Sequence, residues 1–184
     1  MIRKLPGTTI EASLQNSASA RELLDNVFMA GGLVLSQVSG LTGLEPYIVQ
    51  NWIKRGFLSP PQHKKYSRRQ FCRIAVINTL RDVLQIEKIT SLLSYINGRL
   101  DDESDDIIDD SELYLYYIEA VNGTEGERIT PEAVRDCVEE AVKDFAEPFP
   151  GAKRRLVKVL SVMVFAHFAA EMRARAEDVI NTLD

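Results

Sequence analysis

The chain has 184 residues, 45% of them hydrophobic and 27% charged, a formal net charge of −5 and two cysteines. That length and apolar content allow one or two modest domains with a real core and exclude a disordered chain. The charge is uneven: residues 31–99 hold ten Lys/Arg against three Asp/Glu, whereas residues 100–150 hold three against seventeen, so a basic module that suits an anionic polymer adjoins an acidic one that weakens indiscriminate binding.

At the N-terminus, MIRKLPGTTI has two basic residues but no apolar run of signal-peptide length behind them, and a cytoplasmic location is expected. Residues 1–30 read as a leader segment, with Leu23, Leu24, Val27 and Phe28 at helical spacing and a stop at Gly31-Gly32. In SQVSGLTGLEPYIVQNWIKRG, Ser36 is a candidate N-cap, Gly43 a break, Pro46 a first helical residue and Gly56 the next stop. Two short helices around a tight glycine turn are the sequence form of a helix-turn-helix. FLSPPQHKKY is too short and proline-rich for a helix, so it is expected as an extended connection or a small hairpin. Ser67 to Gln70 fits a capping box opening a helix through about Leu84, and a further helix carries Ile86, Ile89, Leu92, Leu93 and Ile96 to a stop at Asn97-Gly98.

The run LDDESDDIIDD, residues 100–110, reads as a boundary because so many like charges resist close packing. A helix from about Glu112 to Val121 follows, and Thr130-Pro131 starts another with Val134, Val138, Ala141, Val142 and Phe145 on one face. The last helix, about residues 152–183, is apolar nearly all round in its middle and calls for cover on more than one side, from its own domain or a second chain. At twelve residues, its VLSVMVFAHFAA stretch is too short to span a bilayer.

The basic module contains the candidate site. On the helix from Pro46 to Arg55, Val49, Trp52 and Ile53 face the core while Tyr47, Gln50, Asn51 and Lys54 form the opposite stripe at i, i+3, i+4 and i+7. Glutamine and asparagine amides pair in bidentate fashion with an adenine edge, and a helix fits the major groove of B-DNA. Arg55, then His63, Lys64, Lys65, Arg68 and Arg69, follow where backbone phosphates would be held. An exposed helix face is usually just solvated; it is the conjunction of helix-turn-helix punctuation, a polar stripe and local basic charge that favours double-stranded DNA as the partner.

Residues 35–93 resemble the MerR-type winged helix-turn-helix domain: SQVSGLTGLEPYIVQNWIKRGFLSPP, KKYSRRQFCRIAVINTLRDVL and QIEKITSLL place Leu41, Gly43, Pro46, Val49, Trp52, Gly56, Leu58, Tyr66, Ser67, Ile86 and Ile89 at its framework positions. The chain departs from that pattern at Gln50 and Asn51, where Arg and Tyr are frequent, and in a short wing. More specifically, GLEPYIVQNWIKRG, KKYSRRQFCRI, INTLRDVLQIEKI and LLSYINGRLDDESDDIID resemble a bacterial family known as domain of unknown function 1836, over about residues 33–120. The resemblance implies a MerR-like DNA-binding domain, a transcriptional regulator and a dimer, with the last helix as candidate interface.

Other constellations carry less. The acidic run lacks EF-hand spacing and its glycine; it reads as a solvated boundary whose aspartates cap the next helix, with folding back onto the basic module as a weaker alternative. Cys72 and Cys137 have no CxxC partner and read as buried reduced thiols, and His167 as a hydrogen-bonded core or interface residue. Tyr114, Tyr116, Tyr117, Phe145, Phe165 and Phe168 are candidates to line a pocket for a small-molecule effector. No catalytic constellation, phosphate loop, metal site or cofactor motif is read, so no enzyme is expected. The expected architecture is all-α with a small wing: a leader at 1–30, a MerR-like DNA-binding module at 31–99, and an acidic helical module at 100–184. Rival readings are an adaptor that docks an acidic protein on the basic face, and an effector sensor.

Overall fold

In the computed structural model, residues 2–13, 17–100, 102, 105–124, 126 and 128–183 are described, save the side chains of Ile2, Arg3 and Ser13. Asp101, Glu103 and Ser104, part of the acidic run, lie outside the described residues. Two short antiparallel strands, β1 (Ile2–Lys4) and β2 (Glu11–Ser13), pair Arg3 with Ala12. Eight helices follow among the described residues: α1 (Ser17–Phe28), α2 (Leu35–Thr42), α3 (Pro46–Lys54), α4 (Arg68–Leu80), α5 (Ile86–Asn97), α6 (Asp110–Gly123), α7 (Pro131–Ala141) and α8 (Ala152–Ile180). The protein is therefore mainly helical, as its periodicity indicates.

Punctuation fixes most helix ends. Gly43 ends α2 at φ 71°, the left-handed conformation glycine adopts without Cβ strain. Pro46 opens α3 with its φ already helical. The expected capping box is formed, with the Gln70 backbone N–H donating to Ser67 Oγ at 3.2 Å and Gln70 Oε1 accepting from the Ser67 N–H at 2.9 Å. Thr130 caps α7 through the Ala133 N–H. Ser36, in contrast, lies inside α2: the cap position is Val34, whose N–H is taken by Gln37 Oε1. The start of α2 is set from outside, because Leu33 is held extended by backbone bonds in both directions with Tyr66.

α4 is the axis of the packing. Every residue from Gln70 to Ile77 is buried, together with Leu80, and α2, α5, α6 and α8 all pack on it. α6 lies along α4 and seats Leu113, Tyr114, Tyr117 and Ile118 in the same cluster of buried side chains, so the apolar core is continuous across residue 100. The expectation that repulsion keeps 100–110 loosely packed is corrected for the described residues 105–110: Ile107 and Ile108 are buried, and Asp106 and Asp110 face arginines rather than one another. Asp109 caps α6 through the Ser111 N–H, as expected of an aspartate in that run.

The N-terminal hairpin is an addition to the expected leader helix. Its loop buries Leu5, donates from Thr9 N to Leu41 O, and receives Asn78 Nδ2 on Gly7 O and Tyr114 Oη on Pro6 O. Gly7, at φ 70°, approaches α4 so closely that a Cβ there would lie 2.0 Å from Ala75 O. Among the described residues, no helix is long and apolar enough to cross a membrane.

Candidate nucleic-acid interface

α3 has the amphipathic rotation its sequence demands. Val49 and Trp52 are buried, Ile48 and Ile53 half-buried, and Tyr47, Gln50, Asn51 and Lys54 exposed. The ring of Trp52 anchors the helix in the core, with the Arg81 guanidinium 6.0 Å from its centroid. Gly56, at φ 75°, turns the chain out of α3.

The segment to Tyr66 is an extended connection closed by a tight turn. Lys65 N donates to Gln62 O at 2.8 Å, and the two central residues, His63 and Lys64, have φ of 48° and 63°. Such a turn favours Asn-Gly. Two side-chain-bearing residues in left-handed geometry cost about 1 to 2 kcal/mol each, and here that strain projects His63, Lys64 and Lys65 into solvent. Gln70 secures the segment to α4, donating from Nε2 to Ser59 O at 2.9 Å and Pro60 O at 3.1 Å.

The nine candidate residues fall into two groups. Tyr47, Gln50, Asn51, Lys54, Lys64 and Lys65 are exposed, and none has a side-chain hydrogen bond or ion pair to the other described residues. The three arginines are engaged. Arg55 pairs with Glu87 at 2.5 Å and stacks over Phe57, with both charged groups open to solvent. Arg68 pairs with Asp25, and Arg69 with Asp106, each arginine side chain only 22% exposed. Two further carboxylates stand within 4 Å of Arg69 Nε, Asp109 at 3.8 Å and Asp110 at 3.6 Å.

Sequence reading passed over Arg73, one turn beyond Arg69 on the same face of α4. It is buried, donates to Asp110 Oδ2 at 3.1 Å and to Phe57 O at 3.3 Å, and shares Asp110 with Asn97 Nδ2. Spacing along the sequence did not point to it, because Arg69 and Arg73 lie one turn apart on α4 whereas Asp106 lies in the non-helical segment before α6 and Asp110 in its first turn. Burial outweighs the nearby Arg69 and holds the Asp106 carboxyl above the usual carboxylate range.

The remaining candidates are dispersed. Tyr114 and Tyr117 are core residues, Tyr116 lines a groove of about 730 Å³ with α1 and α7, and Phe168 lines another of about 910 Å³, so the aromatic residues do not converge on one cavity. His167 Nδ1 lies 3.0 Å from Tyr117 Oη and Nε2 3.6 Å from Glu171. Cys72 is buried, its thiol pushed up to about 12 by that burial. Cys137 is only half-buried and donates to Gly123 O.

These elements define a mainly helical protein that presents one polar and basic helix face. The chain belongs to the family described as domain of unknown function (DUF1836), whose model matches residues 23–117, from within α1 into α6. It is also similar to the uncharacterized protein YkrK of Bacillus subtilis (strain 168), at 23% identity over 162 residues, covering 79% of this chain and 69% of that protein. No solved structure matches.

Proposed function

We propose that the protein is a transcriptional regulator that binds double-stranded DNA, with α2 and α3 acting as a MerR-like helix-turn-helix and the 57–66 segment as a short wing. The observation that carries this reading is the group of six exposed, unengaged side chains on α3 and the following turn, in a chain whose other cations there are held by carboxylates. Gln50 and Asn51 read base edges from the major groove, while Tyr47, Lys54, Lys64 and Lys65 hold phosphates and set register. Arg55 joins them by exchanging Glu87 for a phosphate, an inexpensive exchange because an exposed ion pair contributes little. Arg68 and Arg69 belong to the fold in this reading.

The test is selection from random and genomic duplexes at near-physiological salt with excess competitor DNA, repeated with the Gln50→Ala/Asn51→Ala variant. Enrichment of one motif is expected. Removing either amide should cost roughly 1 to 3 kcal/mol on that motif and little on unrelated DNA. Absence of enrichment overturns the reading, and retention of an acidic protein on the same face in its place establishes the adaptor.

A further inference from the structure

The groove of about 910 Å³ is walled by α8 from His167 to Arg175, by the hairpin loop, and by the C-terminal ends of α4 and α6. Its charges are unevenly matched. Among the described residues two carboxylates line it and both have partners, Asp82 with Arg173 at 3.9 Å and Glu171 with His167 Nε2 at 3.6 Å. Two arginines of the same lining, Arg81 and Arg175, have neither a side-chain hydrogen bond nor an ion pair among the described residues. The Arg81 guanidinium overlies the Trp52 ring and meets no carboxylate there. Asn122, at the end of α6, adds a third donor, because its Nδ2 is buried without a hydrogen-bond partner among the described residues. A buried amide donor left unmade is costly and calls for an acceptor beside it. Part of the apolar lining is also open: Ile129 and Met172 are 40% and 54% exposed, and Phe168, one turn before Met172 on α8, is half-buried.

We propose that this groove binds a small amphipathic anion, whose oxyanion head is drawn by Arg81 and Arg175 and accepts from Asn122 Nδ2, and whose apolar body covers Ile129, Phe168 and Met172. The chemistry of the lining selects that class. A guanidinium presents a planar fork that matches a carboxylate or a phosphate. A neutral ligand would leave both guanidiniums unmatched, and a cation would meet them as like charges. Apolar groups beside a few convergent polar ones are the usual composition of a small-molecule site. The groove lies apart from the α3 stripe, and its occupancy does not depend on the DNA reading. Thr42 and Gly43 also line it, so an occupant meets the turn that sets α3 against α2.

Octanoate and octyl phosphate should each raise the melting temperature of the full-length protein in a saturable way. Octylamine, with the same apolar body and the opposite charge, should not. The tighter of the two anions by calorimetry identifies the head group. Arg175→Gln, at an exposed position, should weaken anion binding by about tenfold, the loss expected for one charge-assisted hydrogen bond, and leave the melting temperature of the free protein unchanged. Asn122→Asp replaces a donor with a charge of the ligand's own sign and should also weaken binding. Met29→Gln, 82% exposed elsewhere, should bind like wild type. No saturable binding of either anion, equal binding of octylamine, or an anion affinity indifferent to both Arg175→Gln and Asn122→Asp would each overturn the proposal.

Discussion

The α3 stripe and the start of α4 are only a few turns of chain apart and both rich in cations, yet they are opposite kinds of surface. On α3 and in the turn after it, Lys54, Lys64 and Lys65 stand in water without a carboxylate partner among the described residues. On α4, Arg68, Arg69 and Arg73 are folded against Asp25, Asp106 and Asp110, and the deepest pair is almost dry, with Arg73 and Asp110 side chains 7% and 3% exposed. Residue type contributes to the division. A lysine ammonium is strongly hydrated and stays outside, whereas the guanidinium is weakly hydrated and presents a planar fork that a buried carboxylate can satisfy. Charge counted along a sequence is therefore not charge available to a partner.

Substitutions can break this contrast at either end. The largest expected effect is at the dry end: Asp110→Ala leaves the Arg73 guanidinium buried without its carboxylate and should cost about 3 to 5 kcal/mol of folding stability, read as a fall in the denaturant midpoint. A midpoint near wild type would show that the pair is not buried. Next, Lys65→Ala and Arg69→Ala should part company. Loss of Lys65 should leave the melting temperature unchanged and reduce the log-log salt slope of DNA binding by about 1. Loss of Arg69 should lower the melting temperature and leave the slope alone; the opposite pattern would merge the two surfaces.

The smallest effect is at Asp106. Its folded carboxyl titrates above the unfolded value, so the folded state binds the proton more tightly and this residue's contribution to stability declines as pH rises through the carboxylate range. Asp106→Asn should therefore gain on wild type between about pH 4 and neutrality, the ordinary carboxylate lying near pH 4, and hold a constant difference above that. A constant difference across the whole range would show that burial does not govern this group.

Local chemistry was legible in the sequence and long-range pairing was not. Ser67-Gln70, Pro46, Gly43 and Thr130-Pro131 act within one helical turn, and each does what its type and spacing indicate. The polar side of α3 follows from the positions of Val49 and Trp52 in the same way. The fate of the arginines does not, because Arg69 and Arg73 meet aspartates 37 residues downstream; that match needs the α4 and α6 packing to exist first. The N-terminal hairpin was missed because its strands have three residues each, too few for a period to register, although Pro6-Gly7 was a turn signal. The last helix was half legible: its apolar middle was plain, but only the placement of the other helices separates the covered side from the open one.

The seating of the hairpin loop also bears on the order in which the chain assembles. Gly7 O is held by Asn78, 71 residues later, and Pro6 O by Tyr114, 108 residues later. During synthesis Leu5 therefore has no finished pocket until most of the chain has left the ribosome, and at about 5 to 20 residues per second that wait lasts several seconds. The hairpin loop is thus among the last of these segments to find its place, and it closes over α4 and α6 as a clasp on a core already formed.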